Sequence, residues 1–85
     1  MPEISRFLGI VIGMFYSEHG VPHFHAVYGE HEASIEIQNG AVHGALPPRA
    51  LRLVLEWRKL HRADLLENWQ LARQGETLKP IPPLE

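Results

Sequence analysis

The chain has 85 residues, of which 45% are hydrophobic, and it has no cysteine and a formal net charge of -2. The length predicts one small domain, and the absence of cysteine excludes disulfides and thiolate zinc sites. The negative net charge argues against a protein whose main activity is binding nucleic-acid phosphates, although a local basic patch is compatible with it. The longest apolar run, FLGIVIGMF at 7–15, is too short for a membrane span and lacks the flanks of a signal peptide, so we expect a soluble, cytoplasmic protein.

The first half of the chain, residues 1–45, predicts an antiparallel meander of three to four strands. Its first segment, ISRFLGIVIGMFYSEHG, is rich in Ile, Val and Phe and suits one or two strands that end in a turn at 17–20. Gly9 and Gly13 interrupt this segment and predict bulges or places where another part of the chain comes close.

The segment PHFHAVYG at 22–29 predicts the next strand, in which His23 and His25 share one face and Phe24 lies on the other. After it, EASIEIQNG alternates apolar and polar residues as a half-buried strand does. Asn39-Gly40 is a strong signal for a hairpin that leads into a short return strand.

The hydrophobic period changes to that of helices over residues 46–76. Pro47 and Pro48 predict a helix start and Gly75 a stop, and a break near 61–63 leaves open whether there is one kinked helix or two. The apolar side that would cover the sheet comprises Ala50, Leu53, Val54, Trp57, Leu60, Leu65, Leu66, Trp69 and Ala72. With a proline-rich, extended tail at 77–85, we expect one α+β domain over 1–85, in which the N-terminal sheet packs on C-terminal helices.

The segment HGVPHFHAVYGEHE holds the residues with the richest chemistry. His23 and His25 lie two apart on one strand face, and His19 in the preceding turn could fold back as a third ligand for zinc or nickel. Glu30 completes an HxHx4E pattern similar to the first metal motif of cupins, without that motif's glycines, and is a weaker fourth candidate. Two alternatives are half-exposed histidines with solvent or carboxylate partners, and general acid–base chemistry without a metal.

Basic residues concentrate in the helical half. They are Arg49, Arg52, Arg58, Lys59, Arg62 and Arg73. Interspersed acidic residues favour a solvated, salt-bridged face, and the alternative is RNA contact by Arg49, Arg52 and Lys59. Trp57 and His61 join Arg49 and Arg52 as candidate binding residues.

Two patterns in the chain are specific in combination: the Pro-His-Phe-His segment at 22–25 and the helical pattern Trp57…His61…Asn68-Trp69. With these marks, the chain as a whole resembles the small prokaryotic proteins of the domain of unknown function (DUF) 4160 family. Val21 stands where a second proline is common in the family. The resemblance implies a protein of unestablished activity, often encoded beside another small uncharacterised family in an arrangement interpreted as a toxin–antitoxin pair.

Two classes of function therefore compete. The first is a binding or regulatory component of a two-gene toxin–antitoxin-like module, which docks a small partner protein encoded by a neighbouring gene. The second is a small metal-dependent hydrolase or ribonuclease-type toxin that uses His19, His23 and His25. We also expect a homodimer, because a small domain without disulfides gains stability when a second copy covers FLGIVIGMF and an edge strand.

Overall fold

A computed structural model describes residues 1–84 of the chain as a five-stranded sheet followed by two helices. The elements are β1 (Glu3–Phe7), β2 (Ile10–Gly13), β3 (His23–Tyr28), β4 (His31–Glu36), β5 (Val42–Ala45), α1 (Pro48–Leu60) and α2 (Arg62–Arg73). All neighbouring strands are antiparallel and follow one another in the order β1-β2-β3-β4-β5. The α+β class and the meander are confirmed, with one strand more than the three to four expected.

The additional strand arises because the first apolar segment folds back on itself at Leu8-Gly9. Both residues have positive φ angles, 50° and 82°, and Phe7 pairs with Ile10. Two left-handed residues between paired strands make the tight hairpin turn that matches the twist of a sheet. Gly13 marks a close approach, since a Cβ built there would lie 2.5 Å from the side chain of Met1.

The other two hairpins of the meander lie at Gly29 and at the predicted Asn39-Gly40 turn. Gly29 has a φ of 59° and sits between the paired residues Tyr28 and His31. At the second turn, the Oδ1 atom of Asn39 accepts a hydrogen bond of 2.8 Å from the backbone N–H of Ala41, and Gly40 has a φ of 77°. The expected hairpin is therefore present.

One face of the sheet packs against the helices around Trp57. This side chain is fully buried, and its ring lies 5.5 Å from that of Phe7 and 5.7 Å from that of Phe24. α1 begins at Pro48 as expected, and the chain leaves helical geometry at His61, where φ is -119°, so that two helices form. Leu60, which was predicted to face the core, is 66% exposed because it lies in the last turn before this break.

Most side chains of the apolar run at 7–15 that were available to a dimer interface lie in the core. Phe7, Ile10, Ile12 and Met14 are buried, while Leu8 and Phe15 are exposed. Most of the apolar surface that we expected a second copy to cover is therefore buried within the domain itself. No helix within the described residues 1–84 has the length and apolar character needed to cross a bilayer.

The proline-rich tail packs onto the domain through single hydrogen bonds rather than a regular element. Ile81 is buried, and its N–H donates to the carbonyl of Ile4 at 2.8 Å. The indole N–H of Trp57 donates to the carbonyl of Pro82 at 2.9 Å. Asn68 both donates to the carbonyl of Lys79 and accepts from its N–H, at 2.8 and 2.9 Å. The tail thus supplies hydrogen-bond partners for two buried polar groups, the indole N–H of Trp57 in α1 and the side-chain amide of Asn68 in α2.

Candidate metal centre

Three side chains with metal-ligating atoms meet beside β3: Glu18, His23 and His25. One ligand atom from each lies within 4.8 Å of the other two. Glu18 belongs to the loop between β2 and β3, and the two histidines project from the sheet face opposite Phe24. About 15% of each histidine side chain and 27% of the Glu18 side chain are exposed. The cluster is thus shielded but reachable from solvent.

Both imidazoles direct their Nε2 atoms at the same carboxylate. Nε2 of His25 lies 2.8 Å from Oε1 of Glu18, and Nε2 of His23 lies 3.3 Å from Oε2. Partial burial by itself would raise the pKa of Glu18, but the hydrogen bond with His25 and the charges of the two histidines outweigh it and lower that pKa. Glu18 is therefore an ionised carboxylate, as a metal ligand must be.

The far side of each imidazole also has a partner. Nδ1 of His23 donates to the carbonyl of Val21 at 2.8 Å, because a carbonyl only accepts, and Nε2 lies on the side of the ring that faces Glu18. Nδ1 of His25 is 3.9 Å from Oε2 of Glu32, a diagonal neighbour across the β3–β4 pair. A carbonyl partner of this kind orients a histidine of a metal site and selects its tautomer. The Glu32 carboxylate, at 3.9 Å, is too far for a direct hydrogen bond and makes a weaker contact on the outer side of His25.

Aromatic rings pack against both histidines and restrict their rotation. The rings of His23 and His25 are 5.2 Å apart. Phe15 meets His25 edge-on at 5.0 Å, and Trp69 of α2 lies 5.1 Å from His23. Trp69 is buried and Phe15 is 41% exposed, so one side of the centre rests on the helix and the other opens toward solvent.

Two imidazole nitrogens and one carboxylate oxygen form a ligand set that suits zinc, and imidazole also suits nickel. Three protein ligands leave at least one coordination position for water or another molecule, as catalytic zinc sites do. Without a metal, the same His25–Glu18 contact is an imidazole–carboxylate pair that can exchange a proton. The geometry is therefore compatible with both chemistries predicted from the sequence, metal binding and general acid–base chemistry without a metal.

The structure places the third ligand-type group differently from the sequence-based expectation. His19 is exposed and lies outside the cluster, and its neighbour Glu18 turns inward in its place. Glu30 follows His25 by five residues and sits in the exposed turn beyond Tyr28, so the HxHx4E pattern does not form one site. Glu18 and His19 are adjacent in the SEHG segment, so the sequence offers both side chains for the third position and the path of the loop selects Glu18.

The remaining candidate residues lie apart from this centre. Arg49 and Arg52 are exposed on α1, whereas Trp57 is a core residue with no surface to offer a ligand. His61 is half-buried against Trp57 at 5.4 Å. His43 pairs with Glu36 at 2.8 Å. Glu36 is the cross-strand partner of His23, but among residues 1–84 this pair does not form a second three-residue ligand cluster.

Comparison with known proteins places the chain in a family without assigning an activity. Neither the curated proteins nor the solved structures yielded a match. The model of a family described as a domain of unknown function, DUF4160, matches residues 9–70, a range that contains the whole centre. Because this match spans well over half of the 85 residues, the chain belongs to the DUF4160 family.

Proposed function

We propose that the protein binds a divalent transition metal, zinc or nickel, through Glu18, His23 and His25, and that this centre is its functional site. The observation that carries the proposal is the convergence of three ligand atoms within 4.8 Å from one loop and one strand. The carbonyl of Val21 supports it, because its bond to Nδ1 of His23 directs Nε2 toward the ligand position. The carboxylate of Glu32 adds a longer contact to the outer nitrogen of His25.

Thermal melting with and without zinc tests this proposal. Only the folded chain brings the three ligands together, so zinc at a hundredfold excess over its dissociation constant should stabilise the natural chain by about 2.7 kcal/mol. For a domain of this size, that corresponds to a rise in melting temperature of roughly 10–20 °C. His23→Ala combined with His25→Ala should abolish the rise, and the isosteric Glu18→Gln should reduce it.

The matched control removes two other imidazoles, His31→Ala and His43→Ala, both exposed on the sheet. This control and His19→Ala should keep the full zinc-induced shift. Equal shifts in the two double variants would contradict the proposal, as would an unchanged shift in Glu18→Gln. Binding should also weaken as pH falls, because protons compete with the metal for imidazole nitrogen.

For the cellular role, we propose a binding or regulatory component of a two-gene toxin–antitoxin-like module. The feature that favours it is β5, an edge strand exposed along residues 43–45 that can pair with a strand of a small partner protein. The test is co-expression with the product of the neighbouring gene. Stoichiometric co-purification is expected, and two proteins that elute separately at micromolar concentration would contradict the role.

A metal-dependent hydrolase or ribonuclease-type toxin is the second candidate. It is favoured by the ligand set, since two histidines and one glutamate with an open position are typical of catalytic rather than structural zinc sites. A metal held there would supply activation of a water molecule. Zinc-loaded protein should then cleave RNA or an ester substrate, and His25→Ala should not. Equal cleavage by both chains would exclude the centre as its source.

A further inference from the structure

We infer that the outer surface of α1, beside the turn at Asn39-Gly40, binds the phosphate groups of a nucleic-acid backbone. This inference is independent of the metal centre. α1 carries four of the chain's eight basic residues and one of its ten acidic residues, Glu56. The helix is therefore a positively charged segment in a protein whose net charge is negative, and positive potential concentrated on one face is how proteins attract phosphate.

The basic side chains of α1 are not neutralised by neighbouring carboxylates. Among residues 1–84, no carboxylate oxygen lies within 4.0 Å of the charged nitrogens of Arg49, Arg52, Arg58 or Lys59. Arg6 and Lys79 differ, since each lies 2.7 Å from a glutamate oxygen. The salt-bridged face that the sequence favoured for the helical half is thus missing from α1, and its cations are available to an external anion.

A surface groove gives Arg52, Arg58 and Lys59 a common site, with Arg49 outside it on the same helix. Its volume is about 430 Å³, and it lies between α1 and the turn after β4. The polar residues along it are Asn39, Arg52, Glu56, Arg58 and Lys59. Arg58 forms a fixed part of the wall: it donates from Nη1 to the carbonyl of Ile37 at 2.7 Å, and a Cβ at Gly40 would lie only 3.0 Å from its Nε atom. The Nε atom of Arg58 is buried, so the terminal Nη atoms of this fixed guanidinium are the ones that can donate to phosphate oxygens.

The spacing along α1 favours a chain of phosphates over a single anion. Arg49, Arg52 and Lys59 are exposed at helical positions i, i+3 and i+10, which fall on one side of the helix and span about 15 Å along its axis. A nucleic-acid strand presents a phosphate every few ångströms, so it meets several of these cations at once. Single-stranded RNA is the probe that follows a short, open groove of this kind.

The experiment measures binding of a fluorescently labelled ten-nucleotide RNA by anisotropy at several salt concentrations. Arg52→Ala with Lys59→Ala should weaken binding about tenfold or more and lower the slope of log affinity against log salt by roughly 1.4, for two lost contacts to a single strand. The matched control, Arg6→Ala with Arg73→Ala, removes the same charge elsewhere and should change binding less than about twofold. Glu56→Gln removes the one carboxylate of the groove and should strengthen binding.

Circular dichroism checks that each variant keeps its helices, which is expected because Arg52, Glu56 and Lys59 are exposed. Equal weakening by the two double variants would overturn the proposal, because it would show a diffuse charge effect. An absence of saturable RNA binding by the natural chain would also overturn it. So would equally tight binding of a poly-glutamate peptide or of adenosine monophosphate, since neither requires a row of backbone phosphates.

Discussion

Glu32→Gln should weaken zinc binding at the Glu18–His23–His25 centre by about three- to tenfold. Loss of an outer partner of a metal-bound histidine typically costs 10- to 100-fold in affinity. Here the carboxylate stands 3.9 Å from Nδ1 of His25 and is 63% exposed, so water replaces part of its effect and the loss falls at or below the low end of that range. A tenfold loss corresponds to about 1.4 kcal/mol of binding free energy.

The assay is isothermal titration of metal-free protein with zinc chloride at fixed pH and ionic strength. Glu30→Gln is the matched control, since it removes the same charge from the turn that follows β3, at the end away from His25. We expect the Glu30 variant to bind as the natural chain does. Equal dissociation constants for the two variants would refute the role assigned to Glu32, and a larger loss for Glu30→Gln would point to general charge instead of orientation of the imidazole.

Three further predictions concern stability and assembly. Asn68→Ala should lower the free energy of unfolding, measured in urea, by about 2 kcal/mol, because Asn68 is 1% exposed and hydrogen-bonded to both backbone groups of Lys79. The control Gln70→Ala, at an exposed position, should change it by less than about 0.5 kcal/mol. Similar losses in the two variants would contradict this prediction. Because folding lowers the pKa of Glu18, its stabilising contribution is present above the ordinary value of 4.5 and is lost as pH falls through the lower folded pKa. In metal-free protein, urea denaturation below about pH 4.5 should therefore show a shallower loss for Glu18→Gln than for the natural chain, and parallel curves would contradict the assignment. Finally, we expect a homodimer, because a small domain without disulfides gains stability from a second copy, and sedimentation as a monomer at micromolar concentration would refute it.

Local sequence patterns predicted the meander, the helical half and the position of the histidine pair. The alternation of PHFHAV places His23 and His25 on one face and Phe24 in the core, and the structure has this arrangement. The helix start at Pro48 and a break within 61–63 were also predictable, because proline geometry and the helical period act over a few residues. The sequence left open whether the first segment forms one strand or two, because a leucine in the left-handed region is an uncommon turn residue.

The sequence by itself thus determined which segments form strands and helices and which face each side chain takes, since both depend on neighbours a few positions apart. Only the tertiary structure decided which groups meet. The path of the β2–β3 loop turns Glu18 toward the histidines and leaves His19 in solvent, and the pairing of β3 with β4 brings Glu32 to His25. The tail's contacts with Trp57 and Asn68 likewise join residues 11 to 25 positions apart. Register, loop path and docking of the tail depend on how the whole core packs, and no local period encodes that packing.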